Sequence, residues 1–326
     1  MVNGERSRQR EEKGVTRTSR FGVMTIQNIS WASLLERWRY LDELGLDSAW
    51  LADHFTNHWY PDEPWLEGWT LLSALGARTE RIRLGILVTN IALHNPAVLA
   101  KQAVTVDRIS EGRLELGIGA GGAPTDHSMT GVPNWDPPER AACLGEYVEL
   151  VDRLLRDEVT SYTGRHYRVQ DAKMHPAAVQ KPRPPLTVAA LGPKTLRIAA
   201  RHADSWNLFP ETGLEAREAL EQTARRNRLL DEYCAEVGRD PGEITRSLLV
   251  HPRMAESPFD SDGALEDFVG RYQEAGMDEF VIYWWREEAL ERGYDAGIAR
   301  GCVDRNSLER IATHAIPKLR AATTNT

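Results

Sequence analysis

Cysteine is scarce in this sequence: 326 residues contain three, Cys143, Cys234 and Cys302, widely separated and without a Cys-x-x-Cys pair. A disulfide framework and a thiolate metal site are therefore not expected, and the three read as structural thiols. Long apolar runs are also missing. No window approaches the ~18 consecutive apolar residues of a membrane span, and hydrophobic residues make up 41% of the chain, so no membrane partner is expected. Basic charge is in short supply as well. The net charge is −8 with no basic stripe beyond the N-terminal segment, which argues against nucleic acid, because such binders need clustered cations to displace counterions. A small-molecule partner is the reading that remains. Met1 to Arg20 mixes Glu, Arg, Lys, Ser and Gly without an apolar stretch. It lacks the core of a secretory signal and reads as a disordered tail, which points to the cytoplasm. Residues 321–326 read as a flexible C-terminus.

What is present is a regular alternation. Short apolar runs occur at Phe21–Ile26, Ser48–Leu51, Arg83–Val88, Arg113–Ile118, Leu186–Ala190, Asp204–Leu208, Ser247–His251 and Phe280–Tyr283. Between them lie amphipathic stretches at Trp31–Leu44, Gly68–Ala77, Ala97–Ile109, Arg140–Leu155, Thr195–Arg201, Leu214–Val237 and Leu265–Ala275, with a last one at Ser307–Ala321. Eight strand-like runs interleaved with eight helix-like ones predict an α/β fold, a single (β/α)8 TIM-barrel domain over residues 21–320. A faint repeat fits this: Glu43-Leu44-Gly45-Leu46-Asp47 and Glu274-Ala275-Gly276-Met277-Asp278 each precede a strand, with glycine as the helix stop. Two insertions are expected. Gly119 to Pro138, rich in Gly, Pro and Asn, follows the fourth strand at the face where barrels keep their chemistry. Thr160–Pro185, before the fifth strand, suggests a hairpin around Tyr162–Arg168 and a proline-rich return.

Candidate chemistry gathers at strand ends. Asp53-His54 closes the second run, and histidine can donate, accept or shuttle a proton near neutrality. The pair reads either as catalytic or as a satisfied structural pair; Asp53, His54 and His58 are of metal-ligand type, but nothing completes a coordination set and no metal is expected. The run Gly117-Ile118-Gly119-Ala120-Gly121-Gly122 would let a flat ring or a phosphate approach the backbone. Ala190-Leu191-Gly192-Pro193-Lys194 turns from strand into helix, where amides, helix dipole and lysine converge on an anion, or forms a plain turn with a surface lysine. Trp59, Trp206, Tyr283 and Trp284, with Trp285 beside them, could wall an apolar substrate pocket larger and less polar than a sugar phosphate needs. His251 reads as a packed histidine.

Taken together, several motifs resemble the bacterial luciferase-like flavin and deazaflavin oxidoreductases over nearly the whole chain, from Phe21 to about Leu319. They are Gly45-Leu46-Asp47-Ser48-Ala49-Trp50 running into Asp53-His54-Phe55, Arg81-Ile82-Arg83-Leu84-Gly85 with Val88-Thr89, Asn95-Pro96-Ala97-Val98-Leu99-Ala100-Lys101, Ser110-Glu111-Gly112-Arg113 through Gly121, and Ala203-Asp204-Ser205-Trp206-Asn207. The resemblance implies a tricyclic cofactor across the barrel mouth, its phosphate tail held by loops on that face. It further implies a non-prolyl cis peptide among Ile86, Leu87 and Val88, with Thr89 beside it. It implies coenzyme F420 in preference to FMN, from Asp53-His54-Phe55 and Ala190 to Lys194. His54 would then exchange the proton that accompanies hydride transfer, with Asp53 orienting it or the ring. One departure stands out. Many relatives carry Trp or Glu after the position of Gly121, whereas this chain has Gly122, Ala123 and Pro124, leaving Asp126 as the substitute acid.

The rival reading is a two-component monooxygenase that borrows reduced FMN from a separate reductase. A third is a flavin-binding barrel without catalysis. A homodimer is expected by analogy.

Overall fold

The computed structural model describes residues 19–324. The tail expected at Met1 to Arg20 therefore lies outside the described residues up to residue 18, as do the last two residues of the expected C-terminal extension. Eight parallel strands close into a barrel: β1 (Arg20–Thr25), β2 (Ser48–Leu51), β3 (Arg83–Asn90), β4 (Leu114–Gly119), β7 (Leu186–Ala189), β8 (Ser205–Leu208), β9 (Thr245–Val250) and β10 (Glu279–Trp284). Each neighbours the next in sequence, and β10 returns to pair with β1. The remaining two strands, β5 (Thr160–Thr163) and β6 (Arg168–Ala172), form the expected antiparallel hairpin outside the barrel.

The helices have readable causes. α1 (Trp31–Leu44) starts where the Ser30 hydroxyl accepts from Ser33 N–H and stops at Gly45, whose φ of 73° suits a residue without a side chain. α2 (Gly68–Gly76) is capped by Glu67, and α3 (Pro96–Ile109) by Asn95 with proline in its first turn. α4 (Pro124–Thr130) and α5 (Pro137–Arg156) follow β4; α6 (Pro193–His202), α7 (Ala216–Glu236) and α8 (Asp262–Glu274) follow β7, β8 and β9. After β10 come α9 (Arg286–Glu291), α10 (Ala296–Arg300), α11 (Arg305–Arg310), a π turn at Ile311–Ala315 and α12 (Ile316–Thr324). The last expected helix is thus broken by that π turn, and α4, α9 and α10 are short helices inside what read as loops.

The repeat seen in the sequence has a structural job. Gly276, like Gly45, has positive φ (95°), and the aspartate two residues later clasps the start of the preceding strand. Asp47 accepts the Phe21 N–H at 2.6 Å and Asp278 the Arg246 N–H at 3.0 Å. Asp204 does the same for Leu186 at 2.7 Å. At this end of the barrel Glu115 is hydrogen-bonded by Arg20 (2.6 Å) and Arg83 (2.5 Å), closing the floor with paired charge.

β3 and β4 carry an irregularity that shapes the opposite end. Their register shifts between Ile86 and Thr89, and the Leu87–Val88 peptide is cis, within the segment where the resemblance implied one. Two glycines of β4 and one just beyond it accommodate this bulge. A Cβ on Gly117 would collide with the Ile86 carbonyl, one on Gly119 with Val88, and one on Gly121 with the Asn90 side chain. Gly117→Ala is accordingly expected to destabilise the fold by about 1–3 kcal/mol, the usual cost of overpacking a rigid site. Urea denaturation checks this, and a midpoint equal to wild type would contradict it.

Candidate active site

Parallel closure brings the carboxyl ends of all eight strands to one mouth, so residues far apart in sequence become neighbours. A cavity of about 70 Å3 opens there. Its floor is Met24, Ile26 and Leu87 and its walls include His54, His58, Trp59, Trp65 and Tyr283. The loop after β2 that supplies Trp59 is tied to the segment after β10 by the Tyr60–Tyr294 stack (3.8 Å, 7° between planes), the Trp59–Trp285 stack (5.6 Å) and the Arg292–Glu63 ion pair (2.8 Å).

His54 is held from α4. Its Nδ1 lies 2.9 Å from Asp126 Oδ2, while Asp126 Oδ1 accepts the Phe55 N–H at 2.9 Å and Oδ2 also accepts Asn90 Nδ2 at 3.0 Å. Asp126 is fully buried. Burial opposes its ionisation, but the bond and charge of His54, with the Phe55 and Asn90 donors, outweigh it and hold the carboxyl below its ordinary value. An ionised carboxylate only accepts, so His54 Nδ1 carries the proton of this bond and the neutral ring keeps its lone pair on Nε2. His58 packs against His54, the rings tilted with centroids 4.4 Å apart. Burial, with the neighbouring His54, pushes His58 down to about 4, and its buried Nδ1 has no partner. His251 is pushed to about 4 by burial and Arg253 and stacks on Phe209, as a packed histidine should.

Of the two roles expected for Asp53, orienting His54 or orienting the cofactor ring, the first is not seen: its bonds go to Asn90 and His94, which leaves the second role open. It is buried beside His54 and accepts the Asn90 N–H at 2.8 Å, while its Oδ2 pairs with His94 Nε2 at 2.9 Å. Glu67 approaches the same pair, and its two oxygens cap the first turn of α2. Asp53, Glu67 and His94 are the one cluster of metal-ligand type among the described residues, with ligand atoms within 4.8 Å of one another. Those atoms already bond to each other or to backbone amides, which fits an ion-paired support better than a metal centre. Burial pulls His94 down, yet the bond and charge of Asp53 and the charge of Glu67 raise it above its ordinary 6.5. A raised folded value means this support is complete below about pH 6.5 and is lost as pH rises through the higher folded value. Thermal midpoints of wild type are therefore expected to fall across that window, and those of His94→Gln to fall less. Parallel pH profiles would refute the assignment.

The other candidates divide. Leu87 lines the cavity, and Val88 packs beside the same inner cluster. Thr89 is buried with its hydroxyl unpartnered. Ile86 lies beside them in β3, its side chain directed to Gly68 of α2 and not among the residues that line the cavity. Gly119 and Gly121 sit at the mouth, but their bare faces are filled by Val88 and Asn90 rather than left open. Ala190 is buried, its amide and carbonyl bonded to Asn207 and Trp206, and Leu191 is half-buried. Gly192 caps α6 with open space where a Cβ would stand, and Pro193 and Lys194 are exposed in the first turn. Among the aromatics, Trp59 and Tyr283 line the cavity, while Trp206 and Trp284 do not. Trp206 is buried in the main core with its indole N–H on the Ala190 carbonyl at 2.8 Å, and Trp284 packs against α1 under the Arg37 guanidinium, 4.7 Å from its ring centre. The period of two decides this, since Tyr283 and Trp285 face inward and Trp284 outward. Sequence reasoning missed Asn57, Trp65, Met24 and Ile26 as lining residues and His94 as a partner of Asp53. His94 follows a strand end closely, and that position was the available signal.

The chain is similar to known proteins in sequence and in fold. A family model described as luciferase-like monooxygenase matches residues 12–301. An F420-dependent glucose-6-phosphate dehydrogenase of Kineococcus radiotolerans is 34% identical over 227 residues, covering 67% of this chain and 62% of that protein. The chain spans about half to two thirds of the length of the first such curated relatives it matches. A 5,10-methylenetetrahydromethanopterin reductase of Archaeoglobus fulgidus is 29% identical over 288 residues, covering 82% of this chain and 80% of that one. The solved coenzyme F420-dependent tetrahydromethanopterin reductase of Methanopyrus kandleri superposes with a TM-score of 0.71 at 16% identity, over 92% of this chain and 99% of that one, a likeness of fold.

Proposed function

From the premise that this chain belongs to the luciferase-like monooxygenase family, we propose that it is an oxidoreductase that moves a hydride between coenzyme F420 and a small organic substrate. The observation that carries the reading is the His54–Asp126 pair at the edge of the mouth cavity. A bound deazaflavin supplies a hydride acceptor or donor that reacts poorly with oxygen. As the substrate C–H bond yields its hydride, the substrate O–H proton passes to His54 Nε2. Asp126 then faces an imidazolium, which its negative charge stabilises at contact distance. In the reverse direction His54 returns the proton to the nascent alkoxide. Trp59, Trp65 and Tyr283 in the lining offer apolar surface beside the reacting atoms.

The residues present fit such a cofactor. The N-terminus of α6 offers first-turn amides, an unobstructed Gly192 and the nearby Lys194 to a phosphate. Thr89 brings a buried hydroxyl with no protein partner, and Leu87 and Val88 give an apolar bed for a ring. Gly119 and Gly121 belong to the same rim, and Asp53, clamped by His94, steadies it. The name of the Kineococcus relative favours this branch, and the Archaeoglobus relative is named a reductase.

A reduced-FMN monooxygenase served by a separate reductase is the second reading, favoured by the description of the family model itself. Fluorescence titration with each oxidised cofactor tests the choice. Saturable binding of F420 is expected, and submicromolar FMN binding without an F420 response would reject it. A cytoplasmic homodimer is part of the proposal. The three cysteines are free and buried, as suits a reducing compartment, and no helix among the described residues is long and apolar enough to cross a membrane.

A further inference from the structure

We propose that Asn90 is a positioning residue: it joins the two acid–histidine pairs at the mouth into one frame and, acting through Asp126, fixes which nitrogen of His54 carries the proton. This rests on the hydride-transfer reading above and adds to it a residue that works through another.

Asn90 ends β3, is buried, and stands opposite Gly119 of β4. The stretch of β3 from Ile86 to Thr89 runs beside the shorter stretch of β4 from Leu116 to Ile118, so one extra residue resets the alternation of side chains just before Asn90. The Asn90 side chain lies against the bare face of Gly121, where a Cβ would collide with its Oδ1. That glycine, at φ 70°, leaves the asparagine room to reach α4.

Three bonds hold Asn90. Its N–H donates to Asp53 Oδ2 at 2.8 Å, its Oδ1 accepts the Ala92 N–H at 3.0 Å, and its Nδ2 donates to Asp126 Oδ2 at 3.0 Å. Because Oδ1 is committed to an N–H, turning the amide over would set a donor against a donor, and Nδ2 stays toward Asp126. Each carboxylate oxygen that Asn90 serves also holds a histidine. Asp53 Oδ2 lies 2.9 Å from His94 Nε2, and Asp126 Oδ2 lies 2.9 Å from His54 Nδ1. One strand-end residue therefore ties both pairs together.

Without this bond Asp126 does not settle the ring of His54. A carboxylate held by the Phe55 N–H at Oδ1 alone can turn about its Cβ–Cγ bond, and a histidine facing a turning acceptor can carry its proton on either nitrogen. The Asn90 donor removes that freedom. With Oδ1 on Phe55 and Oδ2 on Asn90, the acceptor stays beside Nδ1, and Nε2 keeps the lone pair that takes the substrate proton.

NMR of the histidine ring nitrogens in the cofactor-free protein at about pH 8, where imidazole is neutral, reads the tautomer directly. In the wild type His54 is expected as a single tautomer, protonated on Nδ1. Asn90→Leu keeps the shape and removes the amide, while Asn90→Asp keeps an acceptor for the Ala92 N–H and removes the donor. Each is expected to give a mixture of both tautomers and to lower kcat about tenfold, with the F420 Kd within about threefold of wild type. The proposal is overturned by a wild type with His54 protonated on Nε2, by a folded variant whose His54 remains a single Nδ1–H tautomer, or by a mixed tautomer with unchanged kcat. Failure of F420 to bind or turn over would reject the hydride-transfer reading, while the tautomer, read without cofactor, still decides whether Asn90 acts on His54.

Discussion

Replacing His54 with alanine is expected to lower kcat by about 10²- to 10⁴-fold, the range that a positioned acid or base supplies, while the dissociation constant for F420 stays within a few-fold of wild type. The split follows from the geometry. His54 is half-buried at the cavity edge with Nδ1 spent on Asp126, so it is placed to exchange a proton and not to anchor a phosphate tail. The groups suited to the tail sit elsewhere, at the start of α6. Single-turnover reduction of F420 measured alongside fluorescence binding separates the two quantities. A variant with kcat within threefold of wild type would remove His54 from the chemistry. A wild type inactive across a broad panel of alcohols and carbonyls, yet able to bind F420, would favour a flavin-binding barrel without catalysis.

Asp126 carries the second large effect, because one carboxylate satisfies three donors: the His54 ring, the Phe55 amide and the Asn90 side chain. Asp126→Ala leaves a buried amide orphaned and frees His54 to rotate. A loss of about 2–4 kcal/mol in folding stability is expected, together with roughly a 10²-fold fall in kcat from misplacement of the base. Asp126→Asn keeps the shape and is expected to recover most of the stability but little of the rate, since the amide leaves the His54 ring without a fixed negative charge behind it. The pH dependence has a definite sign. The folded carboxyl is held below its ordinary 3.8, so its contribution is complete above about pH 3.8 and is lost as pH falls through the lower folded value. Urea denaturation at pH 7 and pH 3 measures this. Equal stabilities of wild type and Asp126→Ala at pH 7 would show that the three bonds do not hold α4 in place.

Much of the fold was legible because hydrophobic periodicity is a local signal. α1 and β2 have the bounds read from sequence, Trp31–Leu44 and Ser48–Leu51, and the other barrel strands shift by only a residue or two. The helix α4 was not legible. Its seven residues, Pro124–Thr130, are too few for a period to register against a proline- and glycine-rich background. The site was legible in part. Asp53-His54 and Gly192-Pro193-Lys194 announce themselves as polar groups at strand ends, and closure of the barrel brings them to one rim. The partner of His54 was not announced, because Asp126 lies 72 residues away in a segment with no fixed register. The glycines of β4 and the turn after it were read for a ligand, whereas the space beside Gly117, Gly119 and Gly121 belongs to the bulged neighbour strand.

What the sequence determined alone was the alternation of strands and helices, the ends at which polar residues stand, and the family they resemble, since each is written in neighbouring residues. What only the tertiary structure decided was which way a side chain faces and what it meets. A single step along β10 sends Tyr283 into the cavity and Trp284 under Arg37, and the pairing of Asp126 with His54 and of His94 with Asp53 depends on distances that exist only once eight strands have closed upon one another.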